Sequence, residues 1–193
     1  MTRLPSYPSN VSDTQWPRYQ VFHQVRPDRP HLNAGSVHAP DPELALLNAR
    51  DVFVRRPSCV SLWVVPADEI TGLTAEELAA GRWPERTAEP GRPDEPYLVF
   101  IKREARGTHE HCGEVQGSSP VEALRRAVSE VRVSPALVYW VCPKRSVLAS
   151  EPEQGSSLFG PAQDKPYRDQ AFYHTDSLMR DIRRNGGGES EGP

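Results

Sequence analysis

Histidine, glutamate and cysteine, residue types that bind metals, stand next to one another once in this chain. The run is His109–Glu110–His111–Cys112, and Glu114 follows closely. Adjacent positions do not converge on one ion without ligands from elsewhere, and the spacing matches no zinc or iron pattern. We therefore interpret the run as a polar turn between two strands. His31 recurs as His109 in the repeat described below, which indicates a shared structural hydrogen bond.

A rival interpretation uses the same residues for chemistry. It is a free-standing small-molecule or metal-binding protein, or an enzyme, with His31, His109, His111 and Cys112 around the interface of a pseudo-twofold body. A metal that copurifies with the chain, or turnover without partners, would favour it.

Other motifs for chemistry are missing from the sequence. There is no Glu-x-x-His pair on a predicted helix, so the chain does not build a carboxylate-bridged di-iron site by itself. Glycine-rich loops for dinucleotides or ATP are missing too, and Ser61, Ser118 and Ser119 stand in no nucleophile-elbow context. We predict no catalytic, cofactor-binding or metal-binding residue in this chain.

Composition indicates one compact body in a reducing cytoplasm. The 193 residues include 20 prolines, and the mean hydropathy is −0.62. A net charge of −3 without a basic stripe argues against nucleic-acid binding. No apolar run approaches the roughly 20 residues that cross a bilayer, and the start, Met1–Pro5, is not followed by an apolar signal core. Three widely spaced cysteines suit a reducing compartment.

The same residue types recur along the chain at the separation of Tyr19 from Tyr97. From Trp63 and Trp140 onward, this separation is shorter by one position. A register this long indicates tandem duplication. The recurring residues are Tyr19/Tyr97, Val21/Val99, Phe22/Phe100, His31/His109, Gly35/Gly113, Val37/Val115, Pro42/Pro120, Ala45/Ala123, Leu46/Leu124, Ala49/Ala127, Trp63/Trp140, Val64/Val141 and Pro66/Pro143.

Each copy reads as β-β-α-β. In the first, strands are expected at 19–25, 35–39 and 61–65, and a helix follows Asp41. Its apolar face would be Ala45, Leu46, Ala49, Val52 and Phe53. The second copy has a capping-box spacing at 119–122 and a last strand at 136–141. Trp63 and Trp140 are assigned to the core. One such unit buries too little apolar surface to be stable alone, so we predict an α+β, pseudo-twofold body with an antiparallel or mixed sheet.

The expected organisation has a first unit at 14–70, a linker at 71–95 and a second, divergent unit at 96–150. An extended C-terminal tail at 151–184 follows, and 1–13 and 185–193 are expected to be disordered. The tail carries the aromatic and arginine side chains that interfaces favour. Its candidate anchors are Tyr167, Arg168, Phe172 and Tyr173.

The first unit and the tail resemble the B-subunit family of the phenylacetyl-CoA ring epoxidase. The resemblance covers residues 16–70 and 159–173. Its residues are Trp16–Pro17, Tyr19, Val21–Phe22, Gly35–Ala39, Asp41, Ala45–Leu46, Asn48–Asp51, Arg55–Arg56, Leu62–Val65, Pro161–Ala162, Lys165, Tyr167–Arg168 and Phe172–Tyr173.

The resemblance implies a bridging subunit with no active site of its own. The di-iron centre is expected in a catalytic helical subunit, a second helical subunit supports it, and a reductase with FAD and an iron–sulfur cluster draws electrons from NADPH. Intersubunit or helix-anchoring polar contacts would then use Asn48, Arg50, Asp51, Arg55 and Arg56, although Arg50 could simply pair with Asp51. A regulatory module for a different oxygenase remains a further alternative.

The sequence departs from the family by inserting the second unit before the tail. That unit carries Arg126–Ser129 where the first has Asn48–Asp51, and Glu114 and Gln116 where the first has Ser36 and His38. We hypothesise that it serves as a built-in dimerisation half, which replaces self-dimerisation and leaves one face with the family's polar signature.

Overall fold

A computed structural model describes residues 16–54, 59–85, 93–150, 158–160 and 179–180. The elements are β1 (Arg18–Gln24), β2 (Leu32–His38), α1 (Pro42–Phe53), β3 (Ser61–Pro66), β4 (Thr71–Thr74), α2 (Ala75–Ala79), β5 (Glu95–Lys102), β6 (His109–Gly117), α3 (Pro120–Glu130), β7 (Val138–Pro143) and β8 (Leu148–Ala149). Every strand pair among these elements is antiparallel. The α+β class is therefore confirmed, with an antiparallel sheet. The expected disorder at both ends concerns residues outside the described ranges.

The strands form where the sequence alternates apolar side chains. In β1, Tyr19 and Val21 lie on the face that α1 covers, whereas Phe22 lies on the opposite face. The ladder of β1 with β2 shifts register beside Gly35, and that of β5 with β6 shifts beside Gly113. These glycines have φ of +136° and +146°, values that side chains with a Cβ rarely adopt. Both bulges thus depend on glycine.

Helices α1 and α3 begin at the predicted residues. The Asp41 carboxylate accepts a hydrogen bond from the Leu44 amide (2.7 Å), and the Ser119 hydroxyl accepts one from the Glu122 amide (3.2 Å). Ala45, Leu46 and Ala49 are buried as expected. Val52 is not, because its side chain is 45% exposed, so its assignment to the apolar face was wrong.

The strand order is β4-β7-β5-β6-β2-β1-β3-β8. The strand that follows β3 therefore pairs with β7, and the strand that follows β7 pairs with β3. Next to β8, the buried Ser150 accepts a hydrogen bond at its hydroxyl from the Leu62 amide (3.0 Å). Strands β4 and β8 thus form the two outer edges of the sheet.

The sheet curls so that its two halves face each other. Phe22 in β1 stacks on Phe100 in β5 with ring centroids 4.0 Å apart, although two strands lie between them in the sheet order. A flat sheet would separate such strands by roughly 14 Å. The space between the halves holds the inner cluster, defined as Phe22, Val65, Leu98, Phe100 and Cys142.

Trp63 and Trp140 pack against the inner cluster, but each is only partly buried. The prediction that they contact the core is thus confirmed, but neither side chain is fully buried. Helices α1 and α3 pack on the other face of the sheet, over two separate apolar cores. None of the described helices is long and apolar enough to cross a membrane.

Candidate partner-binding surface and inner histidines

The Asn48 side chain is used inside the chain. Its amide nitrogen donates to the backbone oxygen of His38 (3.2 Å), and the Nδ1 of His38 donates to the backbone oxygen of Trp16 (2.8 Å). These bonds tie the middle of α1 to the end of β2, and the end of β2 to the residues that enter β1. Asn48 therefore holds the first unit together locally, whatever else it contacts.

In the second unit, an ion pair connects α3 to the residue that precedes β5. Asp94 and Arg126 occupy the positions equivalent to Trp16 and Asn48, and their charged groups lie 3.0 Å apart. Arg126 also pairs with Glu122 one turn earlier. The polar residue at position 48 is thus explained by a contact within the first unit, and the second unit makes a corresponding contact with Arg126 and Asp94.

Arg50 and Asp51 form an ion pair of 3.1 Å within α1. The Arg50 side chain is 20% exposed and that of Asp51 is 49% exposed. Such pairs contribute about 0–1 kcal/mol to stability. Arg55 and Arg56, the other candidates of this stretch, lie outside the described residues.

The four tail anchors, Tyr167, Arg168, Phe172 and Tyr173, also lie outside the described residues. Shortly before them, Leu158 and Phe159 are buried in the apolar core under α1. The chain therefore passes close to α1 before residue 161.

The first unit exposes apolar side chains that were not predicted from the sequence. Trp16 is 58% exposed, Leu47 39% and Val52 45%. A signal existed, because the equivalent positions of the second unit carry the charged residues Asp94, Arg125 and Glu130.

The histidines lie along the line where β2 meets β6. Leu32 pairs with Glu110 there, and the His111 amide donates to the His31 carbonyl oxygen (2.9 Å). His109 to Cys112 thus belong to strand β6, and their interpretation as a polar turn was wrong. Its His111 ring contacts the rings of Trp63 and Phe100, so this imidazole lies against the aromatic side chains of the inner face.

Each repeated histidine stacks on the repeated tryptophan of its own unit. The ring centroids are 3.5 Å apart for His31 and Trp63, and 3.4 Å apart for His109 and Trp140. The hydrogen bonds differ, because His31 Nε2 lies 2.9 Å from the Ser61 hydroxyl whereas His109 Nε2 is buried without a partner in the described structure. The expected shared bond is therefore wrong, and the shared feature is the stack.

Burial lowers the pKa of both repeated histidines. The pKa of His31 falls to about 4, through desolvation first and then through the nearby His111 and His23. That of His109 also falls to about 4, through desolvation and Lys102. Desolvation lowers the pKa of His111 as well, against the opposing effect of Glu114. These imidazoles are neutral at pH 7.

The described ranges contain no complete set of metal ligands. No group of three or more His, Cys, Asp or Glu residues there is arranged to hold an ion. Cys112 packs against the core under α3, on the other face of the sheet from the inner cluster. Burial raises the pKa of Cys142 to about 12, so its thiol stays protonated.

Comparison with known proteins identifies two regions of the chain. A family model described as phenylacetic acid degradation B, PaaB, matches residues 15–88 and again residues 95–179. The B subunit of the 1,2-phenylacetyl-CoA epoxidase of Escherichia coli (strain K12) is 43% identical over 67 residues, which are 35% of this chain and 70% of that protein. No solved structure matches the chain. The double match confirms the duplication.

Proposed function

Because the chain belongs to the phenylacetic acid degradation B family, we propose that it is a non-catalytic subunit of a phenylacetyl-CoA epoxidase. In this proposal it bridges the helical subunits that carry the chemistry of phenylacetate catabolism. The observation that carries the proposal is the family match over both units. The Escherichia coli relative, whose name makes it a subunit of that enzyme, supports the same assignment.

A structural role agrees with how the described polar groups are used. His38 and Asn48 fasten β1 and β2 to α1, and Arg126 does the same for the second unit. The histidines lie among aromatic rings, where a neutral imidazole packs well. In this proposal the di-iron, flavin and iron–sulfur groups belong to the partner subunits, as the family resemblance implies.

The two units are proposed to form a pseudo-twofold body in which the second stands in for a second copy. The exchanged edge strands support this arrangement, since β4 pairs with β7 and β8 pairs with β3. The matching glycine bulges and the matching histidine–tryptophan stacks point the same way. A chain built in this manner has no need to dimerise through its first unit.

The test is co-expression with the helical oxygenase subunits of the same organism, each carrying its own affinity tag. We expect this chain to copurify with them at a fixed ratio. Oxidation of phenylacetyl-CoA, with the reductase and NADPH supplied, should fall at least several-fold when the chain is omitted. A preparation with albumin in its place controls for non-specific stabilisation.

Two results would contradict the proposal. One is an oxygenase that assembles and turns over at full rate without this chain. The other is turnover, or a bound metal, in the isolated chain, which would bring back the interpretation built on His31, His109, His111 and Cys112.

A further inference from the structure

The outward flank of α1 is unusually apolar for a helix surface. At 100° per residue, Leu44, Leu47 and Val52 lie within one arc of about 140° that borders the buried face of Ala45, Leu46 and Ala49. Leu44, in the middle of this arc, is partly buried against the core, and Leu47 and Val52 lie at its two ends. Leu47 and Val52 are among the exposed large apolar side chains of the structure. Together with Asn48 and Asp51 they make up what we term the α1 flank, namely Leu44, Leu47, Asn48, Asp51 and Val52.

The second unit provides an internal control for this flank. Its equivalent residues are Glu122, Arg125, Arg126, Ser129 and Glu130, so every apolar position has become charged. The buried face has not changed, because Ala123, Leu124 and Ala127 repeat the first helix. The two helices thus share a buried face and differ in their outer surface. Only the outer surface of α1 carries apolar side chains whose burial against a partner would be favourable.

Charge decides what could cover the α1 flank. Glu43 is exposed beside it and forms no ion pair among the described residues, and Asp51 is half exposed within it. The single basic residue of α1, Arg50, is mostly buried and paired with Asp51. Two copies meeting through this flank would bring the Glu43 carboxylates of both copies to one interface, whereas a surface with an apolar centre and a basic rim would match it.

We propose that the α1 flank is the docking site for a helical oxygenase subunit that presents apolar side chains bordered by Lys or Arg. The inference rests on the proposed function for the identity of the partner. The surface itself is assigned from the contrast between α1 and α3. The second unit, with its charged helix, would stay facing solvent or contact a different surface.

The test transfers the surface of the second unit to the first. The variant Leu47→Arg/Val52→Glu carries the residues of α3 at the same helical positions, and both sites are exposed enough to accept them. Affinity for the purified helical subunits is measured by biolayer interferometry with the full chain. We expect binding at least about 10-fold weaker than that of the unchanged chain, the scale of a lost interface anchor.

A matched control changes the other helix. Arg125→Ala/Glu130→Ala should bind within about twofold of the unchanged chain. The milder Leu47→Ala/Val52→Ala, with circular dichroism and melting curves, separates loss of binding from loss of folding. It should keep the melting temperature and still weaken binding.

The outcomes separate the two proposals. No binding by the unchanged chain would overturn the proposed function. Normal binding by the unchanged chain and equally by Leu47→Arg/Val52→Glu would overturn the inference and leave the function standing. The inference also fails if light scattering shows that the unchanged chain is a dimer and this variant a monomer, because the occupant would then be a second copy.

Discussion

Acidification should destabilise this protein through the two repeated histidines. His31 is 7% exposed and His109 is 8% exposed, and burial lowers the pKa of each to about 4. In the unfolded chain both return to about 6.5. Between these values the unfolded state binds more protons than the folded state, so stability falls as the pH falls from about 6.5 towards 4.

The magnitude follows from the two pKa values. At pH 5 an unfolded imidazole is almost fully protonated and a folded one is mostly neutral, which costs about 2 kcal/mol per residue relative to pH 7. The two histidines together cost about 4 kcal/mol, a large share of the roughly 5–15 kcal/mol that holds a domain folded. The charged or titratable neighbours that shift the pKa of these two residues are His23, His111 and Lys102, and no carboxylate among the described residues offsets the effect.

The assay is urea unfolding followed by tryptophan fluorescence at several values of pH between 7 and 5. The informative variant is His109→Phe, which keeps an aromatic ring for Trp140 and removes a buried nitrogen without a partner in the described structure. We expect equal or greater stability at pH 7 and a loss between pH 7 and 5 that is smaller by about 2 kcal/mol.

The reasoning is refuted if His109→Phe shows the same loss between pH 7 and 5 as the unchanged chain. It is also refuted if the unchanged chain keeps its free energy of unfolding down to pH 5, because the buried imidazoles would then titrate as exposed ones do.

Two substitutions test the sheet in the same urea assay. Gly35→Ala and Gly113→Ala should each cost about 1–3 kcal/mol, because both positions have positive φ. Gly35→Ala should cost more, since its new Cβ would lie 2.9 Å from the Phe53 ring whereas nothing lies within 4 Å at Gly113; equal costs would mean that the ring moves freely. Ser150→Ala removes the acceptor of the buried Leu62 amide, and a cost of about 1–3 kcal/mol is expected, with faster hydrogen exchange at that amide. A cost below about 0.5 kcal/mol would mean that this hydroxyl contributes little to fixing β8.

Local patterns predicted the elements whose signals are local. Apolar alternation in β1 and β3 and the caps at Asp41 and Ser119 need no knowledge of distant parts of the chain, and they were confirmed. Strand β2 was expected at 35–39 and begins at Leu32, because the bulge at Gly35 interrupts the alternation while Leu32 and Asn33 still pair with β1 beyond it. Strand β7 was expected at 136–141 and lies at Val138–Pro143.

Elements that depend on the other unit could not be predicted. The sequence Thr71–Thr74 has little strand signal, and it becomes β4 because β7 offers it an edge. Leu148 and Ala149 become β8 beside β3 in the same way. The run His109–Cys112 was wrongly interpreted as a turn. The rings that its histidines contact, Trp63, Phe100 and Trp140, come from other strands and are brought to them only by the folded sheet.

The candidate surface was predicted from the family resemblance and not from exposure. Asn48 and Arg50 were predicted to make intersubunit or helix-anchoring contacts because they lie in the run Asn48–Asp51 that carries the resemblance, and each has a partner within the chain. The apolar flank was passed over because Val52 fits a buried position at helical spacing. Whether these polar residues also contact a partner remains a prediction, as it does for Arg55, Arg56 and the tail.

Duplication changes what a surface can become. In a symmetric dimer of single units, a substitution such as Leu47→Arg appears on both faces at once, so a docking helix and a charged helix cannot coexist. A fused chain removes that constraint. Positions that hold the fold, such as Gly35/Gly113 and Trp63/Trp140, must stay alike, while α1 and α3 are free to diverge. The charged α3 above an unchanged buried face is the pattern expected when the two faces no longer bind the same partner. A bridging subunit with two equal docking faces would instead carry similar outer residues on α1 and α3.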